Sequence, residues 1–71
     1  MNKIRLYLKH AVYPIEATSY GADEIGFWKI EIKFEEEYVQ VRRDYTKAEV
    51  ILYTIPKANL CYIDWGNDKD E

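Results

Sequence analysis

Hydrophobic and charged residues alternate between Trp28 and Phe34, and this pattern constrains the fold more than any other part of the chain. A repeat of two residues places every second side chain on the same face, which is the geometry of a half-buried β-strand. The alternation resumes at Val39 and Val41 after the acidic triplet Glu35–Glu37. The two runs therefore predict a β-hairpin over Phe27–Arg43.

The faces of the two runs also predict the register of the hairpin. Slipping the pairing by one residue would set Ile32 against Gln40 and mix the apolar and polar faces. Slipping it by two would set Lys29 against Arg42, a like-charge pair that opposes strand pairing. The favoured register leaves Glu35–Tyr38 as a four-residue loop. It sets these residues opposite one another: Phe34 and Val39, Ile32 and Val41, Glu31 and Arg42, and Lys29 and Asp44.

The length of 71 residues corresponds to one small domain. A chain of this size buries only about 60% of its unfolded surface, so its stability is marginal without a staple or a partner. Cys61 is the only cysteine, which excludes an intramolecular disulfide and a cysteine-based metal cluster. The apolar share of 48% is too high for a disordered chain. We expect a single β domain over residues 1–65 and an acidic, flexible tail over residues 66–71.

The charge balance and the hydropathy pattern limit the function classes. The formal net charge of −3 argues against a general nucleic-acid-binding surface. No apolar run approaches the roughly 18–20 residues of a membrane span, and we find no signal peptide. We therefore expect a cytoplasmic protein with no membrane partner and no cofactor.

The remaining elements are predicted from alternation, β-branched residues and turn signals. Strands are expected over residues 3–9, 12–17, 50–55 and 60–65, with a loop over 18–25 and a 3₁₀ turn over 56–59. Pro14 lacks a backbone donor and marks the second strand as an edge strand. Cys61 shares a face with Ile63 and Trp65, so we predict a small core residue there. The predicted core consists of Ile4, Leu6, Trp28, Ile30, Ile32, Phe34, Val39, Val41, Ile51, Leu52, Ile63 and Trp65.

Five or six short strands with regular turn signals predict an all-β fold, either a small, strongly bent antiparallel sheet or a barrel. The segment Ile55–Trp65, a strand followed by a proline-led turn and a final strand, resembles the end of SH3-like and Sm-like barrels. The resemblance implies a small SH3- or Sm-like barrel with a 3₁₀ turn before its last strand. The chain lacks the glycine-containing last-strand motif of RNA-binding Sm proteins, which argues against ring-type RNA binding.

The opening segment Leu6–Lys9 and the segment Ile55–Asn59 also resemble short accessory proteins encoded by phages and prophages. Many such chains have a glycine after the first strand, where this chain has His10 and Ala11. The resemblance implies a small β-fold that binds a host protein and inhibits or redirects it.

The outer face of the predicted hairpin mixes aromatic and basic side chains. Single-strand nucleic-acid binders use this combination, with bases stacked on rings above a basic groove. Glu31 and Asp44 lie on the same face, however, and Glu35–Glu37 lie at its tip. An ordinary solvated face with cross-strand ion pairs is therefore the favoured interpretation. The candidate binding residues on this face are Phe27, Lys29, Lys33, Tyr38 and Arg42.

Residues suited to catalysis or metal binding are few. A nucleophilic cysteine needs an adjacent histidine, an orienting group and oxyanion donors, whereas His10 and Cys61 each occur once. The chain has no HxH or CxxC pattern and no alternating aspartate loop. We interpret Glu35–Glu37 as a solvated hairpin tip. No catalytic residue, metal site or enzymatic activity is predicted.

These observations favour a non-enzymatic protein-binding module. Seven tyrosines supply rigid amphipathic area of the kind found in binding surfaces. The expected partner is another protein, with a host factor implied by the phage resemblance, and the sequence leaves a homodimer open. The alternative is a small-barrel protein that binds single-stranded RNA or DNA.

Overall fold

The computed structural model describes residues 3–66 and is all-β, as the sequence predicts. A 3₁₀ turn over Lys57–Asn59 directly precedes the last strand, and this prediction is confirmed. Pro56 stands before the turn with φ of −58°, the angle that a proline ring imposes. The strands are β1 (Lys3–Leu8), β2 (Ile15–Thr18), β3 (Tyr20–Ala22), β4 (Phe27–Phe34), β5 (Tyr38–Tyr45), β6 (Glu49–Pro56) and β7 (Leu60–Asp64).

The seven strands form two antiparallel sheets. The smaller sheet has the order β2-β1-β7, and the larger has the order β3-β4-β5-β6. Only Ser19 separates β2 from β3, so the chain passes from one sheet to the other almost without a loop. β2 is an edge strand, as Pro14 predicts, although the strand begins one residue after the proline. The predicted loop over 18–25 is wrong in part, because β3 pairs with β4.

The predicted hairpin register is confirmed. Phe34 pairs with Val39, Ile32 with Val41 and Glu31 with Arg42, and the pairing continues to Lys29 and Asp44. The loop is closed by the Glu35 N–H, which donates to the Tyr38 carbonyl at 2.9 Å. This hairpin forms the centre of the larger sheet.

The core lies between the two sheets. Ile4 and Leu6 of β1 pack with Val41 of β5 and Ile55 of β6, and all four are buried. Val39, Ala17 and Tyr45 are also buried. Of the predicted core, the half-buried members are Trp28, Ile30, Ile32, Leu52 and Ile63. The predictions for Phe34, Ile51 and Trp65 are wrong, since all three are exposed.

Two irregularities in the pairing explain the exposure of Ile51 and of Cys61. In β6 the register shifts between Val41, which pairs with Tyr53, and Arg42, which pairs with Ile51. Leu52 is therefore an extra residue, and a bulge of this kind changes which face the following side chains occupy. Leu52 packs against the core, and Ile51 lies on the exposed face beside Arg42.

The second irregularity lies in the pairing of β1 with β7 and leaves Cys61 exposed. The prediction that Cys61 is a core residue is therefore wrong. Tyr7 pairs with Tyr62 and Leu8 with Leu60, so Cys61 has no opposite residue in β1. The shift allows Leu60 to pack against the core and leaves Cys61 exposed. β7 ends at Asp64, one residue before the predicted end. Of the predicted tail over 66–71, only Gly66 belongs to the described residues, and the rest lies outside them.

Candidate binding cleft

An open cleft of about 590 Å³ lies where β2 and the inner face of the larger sheet diverge. We call it the Trp28–Arg43 cleft. Its volume falls within the range of about 300–1,000 Å³ that is usual for ligand sites in proteins. Its lining residues are Glu16, Ala17, Thr18, Tyr20, Gly21, Ala22, Trp28, Ile30, Arg43, Leu52 and Tyr53.

Gly21 creates the space that the Trp28 indole occupies. The two residues pair across β3 and β4. A Cβ at position 21 would lie 2.6 Å from Cζ2 of Trp28, well inside van der Waals contact. The glycine therefore lets the indole lie flat across the neighbouring strand and form one wall of the cleft.

Arg43 is a cation on the inner, mainly apolar face of β5. It follows Val41 and precedes Tyr45 at alternate positions, and both of those side chains are buried. The Arg43 guanidinium carbon lies 4.4 Å from the Trp28 ring centroid. A guanidinium at this distance from an indole face gains cation–π attraction. Stacking therefore holds the guanidinium against the indole at the cleft, where the Arg43 side chain stays 38% exposed.

The polar neighbours of Arg43 satisfy its donors only in part. Its Nη1 lies 3.7 Å from Oδ2 of Asp23, beyond the range of a good hydrogen bond. Its Nε is buried and has no hydrogen-bond partner among the residues that the structure describes. Glu16, also in the cleft lining, is already engaged by Arg5 at 2.9 Å and by Lys3 at 3.5 Å. Within residues 3–66 the Nε–H of Arg43 is therefore left without a partner.

Asp23 links the β3–β4 turn to β5 beside the cleft. Its Oδ2 accepts a hydrogen bond from the Tyr45 hydroxyl at 2.5 Å, and its Oδ1 accepts one from the Ile25 N–H at 2.9 Å. The hydrogen bond from the Tyr45 hydroxyl is the main reason that the pKa of Asp23 lies below its usual value. The same hydrogen bond is the main reason that the pKa of Tyr45 lies above its usual value. This contact holds the carboxylate 3.7 Å from the Arg43 guanidinium, close enough for an ion pair and too far for a good hydrogen bond.

The five predicted site residues lie on the opposite face of the hairpin, away from the cleft. Lys29 pairs with Asp44, and Lys33 pairs with Gln40. Arg42 donates to Glu49 at 2.6 Å and to the Gln40 side chain at 2.8 and 3.1 Å. The basic side chains of this face are thus matched by acids and amides.

The two aromatic members of that predicted set are far apart. Phe27 is 83% exposed at the start of β4, and Tyr38 is 38% exposed at the start of β5. Strand geometry separates these opposite ends of the hairpin by roughly 25 Å. The structure brings the five residues onto one face and does not gather them into one pocket.

Sequence reasoning missed the residues of the cleft, although one signal was available. The inward positions of β5 run Val39, Val41, Arg43 and Tyr45, and an arginine in such a series is unusual. The role of Gly21 could not be predicted from sequence, because it depends on Trp28 in the strand that pairs with β3.

Side chains that could ligate a metal ion do not cluster within residues 3–66. No set of three or more His, Cys, Asp and Glu side chains in this range could hold a metal ion. His10 lies in the β1–β2 loop and Cys61 is exposed in β7. The described residues also contain no helix with the length and hydropathy of a membrane span.

Comparison with protein-family models, curated proteins and solved structures found no match for this chain.

Proposed function

We propose that this chain is a non-enzymatic module that binds a short segment of another protein in the Trp28–Arg43 cleft. The observation that carries the proposal is the Arg43 guanidinium stacked on Trp28 at the wall of an open cleft, with its Nε–H unpaired among the described residues. Tyr20 and Tyr53 lie in the same lining and are exposed. Tryptophan, tyrosine and arginine are the residue types that dominate the binding energy of protein interfaces.

The chemistry of the cleft favours a segment with an apolar side chain next to a carboxylate. An apolar group can pack on Ile30, Leu52 and the Trp28 ring. A carboxylate can accept charge-assisted hydrogen bonds from Arg43, which are about twice as strong as neutral ones.

The strand arrangement supports the further proposal of an open, SH3- or Sm-like barrel. β2 continues into β3 across the two sheets, and a 3₁₀ turn precedes the β7 strand that pairs with β1. An accessory role in which a cytoplasmic host protein is inhibited or redirected rests on the phage resemblance alone.

The alternative of nucleic-acid binding has less support. Phosphate contacts by unpaired lysines and arginines supply most of the affinity of such proteins. Lys29 and Arg42 have acidic neighbours on the outer face, and among residues 3–66 Arg43 is the sole basic residue lining the cleft.

Selection from a random peptide library displayed on filamentous phage tests the proposal. The wild-type chain is immobilised, and enriched peptides are then measured in solution against Arg43→Gln and Arg42→Gln. The two arginines are neighbours in β5 and lie on opposite faces, so Arg42→Gln is a matched control. Circular dichroism establishes that both variants keep the wild-type fold.

We expect selected peptides to carry an acidic residue beside an apolar one. Arg43→Gln should weaken their binding at least tenfold, and Arg42→Gln should change it less than threefold, because only Arg43 lines the cleft. Peptides that bind both variants as tightly as the wild type would contradict the assignment of the cleft. A selection that enriches no peptide would contradict the proposed function.

A further inference from the structure

The outer edge of the larger sheet is a long strand that is paired on one side only. Within residues 3–66, β6 pairs with β5 and with no other strand. Val50, Ile51 and Tyr53 along this strand are exposed, Ile51 by 55%. Edge strands are usually short, or carry lysine or proline, which prevents pairing with another chain. β6 has eight residues and no lysine, and its proline is its last residue.

The hydrogen bonds of the larger sheet indicate which backbone groups of β6 point to the free edge. The Tyr45 N–H donates to the Ala48 carbonyl at 2.8 Å, and the Lys57 N–H donates to the Glu37 carbonyl at 2.9 Å. Ala48 and Lys57 therefore turn toward β5. Because the direction alternates along an antiparallel strand and the bulge adds Leu52, a second set turns away from β5. This set consists of Glu49, Ile51, Thr54 and Pro56.

We infer that the free edge of β6 pairs antiparallel with β6 of a second copy of this chain. One register sets Ile51 opposite Thr54 of the second copy, and Glu49 opposite Pro56. Each residue named has its backbone groups at the free edge, so the pairs can form hydrogen bonds. The two four-stranded sheets then join into one eight-stranded sheet with two-fold symmetry.

The same register matches the faces of the two strands. Ile51 and Thr54 both lie on the outer face, opposite Arg42 and Gln40 of β5. Val50 then lies opposite Ile55 of the second copy, and both belong to the inner face. A shift by one residue would mix the faces, which a partly buried sheet does not tolerate. In this register Leu52 of each copy lies opposite Tyr53 of the other, so the two bulged segments face each other and do not disturb this match.

Self-complementarity is the reason that a second copy fits this edge better than an unrelated strand. Each Ile51–Thr54 pair can form two hydrogen bonds and each Glu49–Pro56 pair one, since proline has no N–H, which gives about six in all. The dimer covers Ile51 and adds apolar burial to a domain in which seven hydrophobic residues of the described range 3–66 are buried.

Sedimentation equilibrium of the full chain, from low micromolar to submillimolar concentration, tests this inference. We expect the wild type to reach twice the mass of the chain and no more. Ile51→Lys places one lysine from each copy on the same face, on either side of the two-fold axis, and removes the apolar contact, so it should weaken dimerisation at least tenfold. Phe27→Lys makes the same change at an exposed residue of β4 and should leave the dimer intact.

A second variant tests the edge independently of the Ile51 side chain. Thr54→Pro removes an N–H that points to the free edge and is not needed for pairing with β5, so it should also give a monomer. Circular dichroism and thermal unfolding show whether each variant is folded. A wild-type chain that stays monomeric at submillimolar concentration overturns the inference. A dimer that persists in both folded edge variants, or a mass above that of a dimer, overturns it equally.

Discussion

Arg43 differs from the other inward-facing residues of β5 because it brings a full charge to a face that is otherwise apolar. A charge there is tolerated since its guanidinium stacks on Trp28 and stands near the Asp23 carboxylate. Asp23 in turn accepts the Tyr45 hydroxyl. These four side chains form one unit, so a change in any of them should affect both the stability and the shape of the cleft.

The hydrogen bond between the Tyr45 hydroxyl and Asp23 should make the free energy of unfolding depend on pH. The folded protein lowers the pKa of Asp23 below its ordinary value of 3.8. The stabilisation is therefore fully present above about pH 4, and it is lost as the pH falls through the lowered pKa. We expect Asp23→Asn to lower the melting temperature at pH 7, and the difference from wild type to shrink toward pH 2.

The matched control for this prediction is Asp44→Asn, on the outer face of the hairpin opposite Lys29. It should lower the melting temperature at pH 7 less than Asp23→Asn does. A melting temperature of Asp23→Asn equal to that of wild type at pH 7 would contradict the structural role of the carboxylate.

Gly21→Ala should displace the Trp28 indole. The added methyl group meets Cζ2 at 2.6 Å, so the ring or the strand must move. Overpacking of this kind costs about 1–3 kcal/mol. Denaturant unfolding followed by circular dichroism measures the cost, and the indole N–H resonance of Trp28 should shift. Ala22→Val adds more volume to the exposed side of β3 and should change stability by less than about 0.5 kcal/mol.

At the level of strands, the hairpin could be predicted from sequence because its faces and its charge pairs all favour the same register. The bulges at Leu52 and Cys61 could not be predicted, because an extra residue leaves the local composition unchanged and is specified by contacts between distant strands. The cleft was missed for a related reason. The size of the cleft depends on how far β2 covers the inner face of the larger sheet. The end of β2 is not specified by any local sequence pattern.

The bulge in β7 predicts a reactive thiol. Cys61 is exposed, so its labelling by a thiol reagent in native buffer should approach the rate in denaturant. Cys61→Ser should change the free energy of unfolding by less than about 0.5 kcal/mol, as is usual for surface sites. Labelling that is many times slower in the native state would indicate a buried thiol and a regular β7 strand.

Charge distribution over the described residues predicts weak nucleic-acid binding. The outer face of the larger sheet alternates basic and acidic side chains, with the ion pair between Arg42 and Glu49 at its centre. Such a surface releases few counterions from a phosphate backbone. Fluorescence anisotropy with a random single-stranded oligonucleotide at about 150 mM salt should give no submicromolar binding. Tight binding that weakens steeply as salt rises would favour the small-barrel nucleic-acid alternative.

The side-chain resonances of Arg42 and Arg43 offer the most direct test that the cleft is the binding site. The chain is labelled with ¹⁵N, and a peptide selected on the wild type is titrated while the two arginine Nε–H signals and the Trp28 indole N–H are followed. The cleft accounts for binding if the Arg43 and Trp28 signals shift with the same dissociation constant while the Arg42 signal stays in place. Shifts confined to Arg42, Lys29 and Phe27, with Arg43 and Trp28 unchanged, would place the binding site on the outer face and contradict this account.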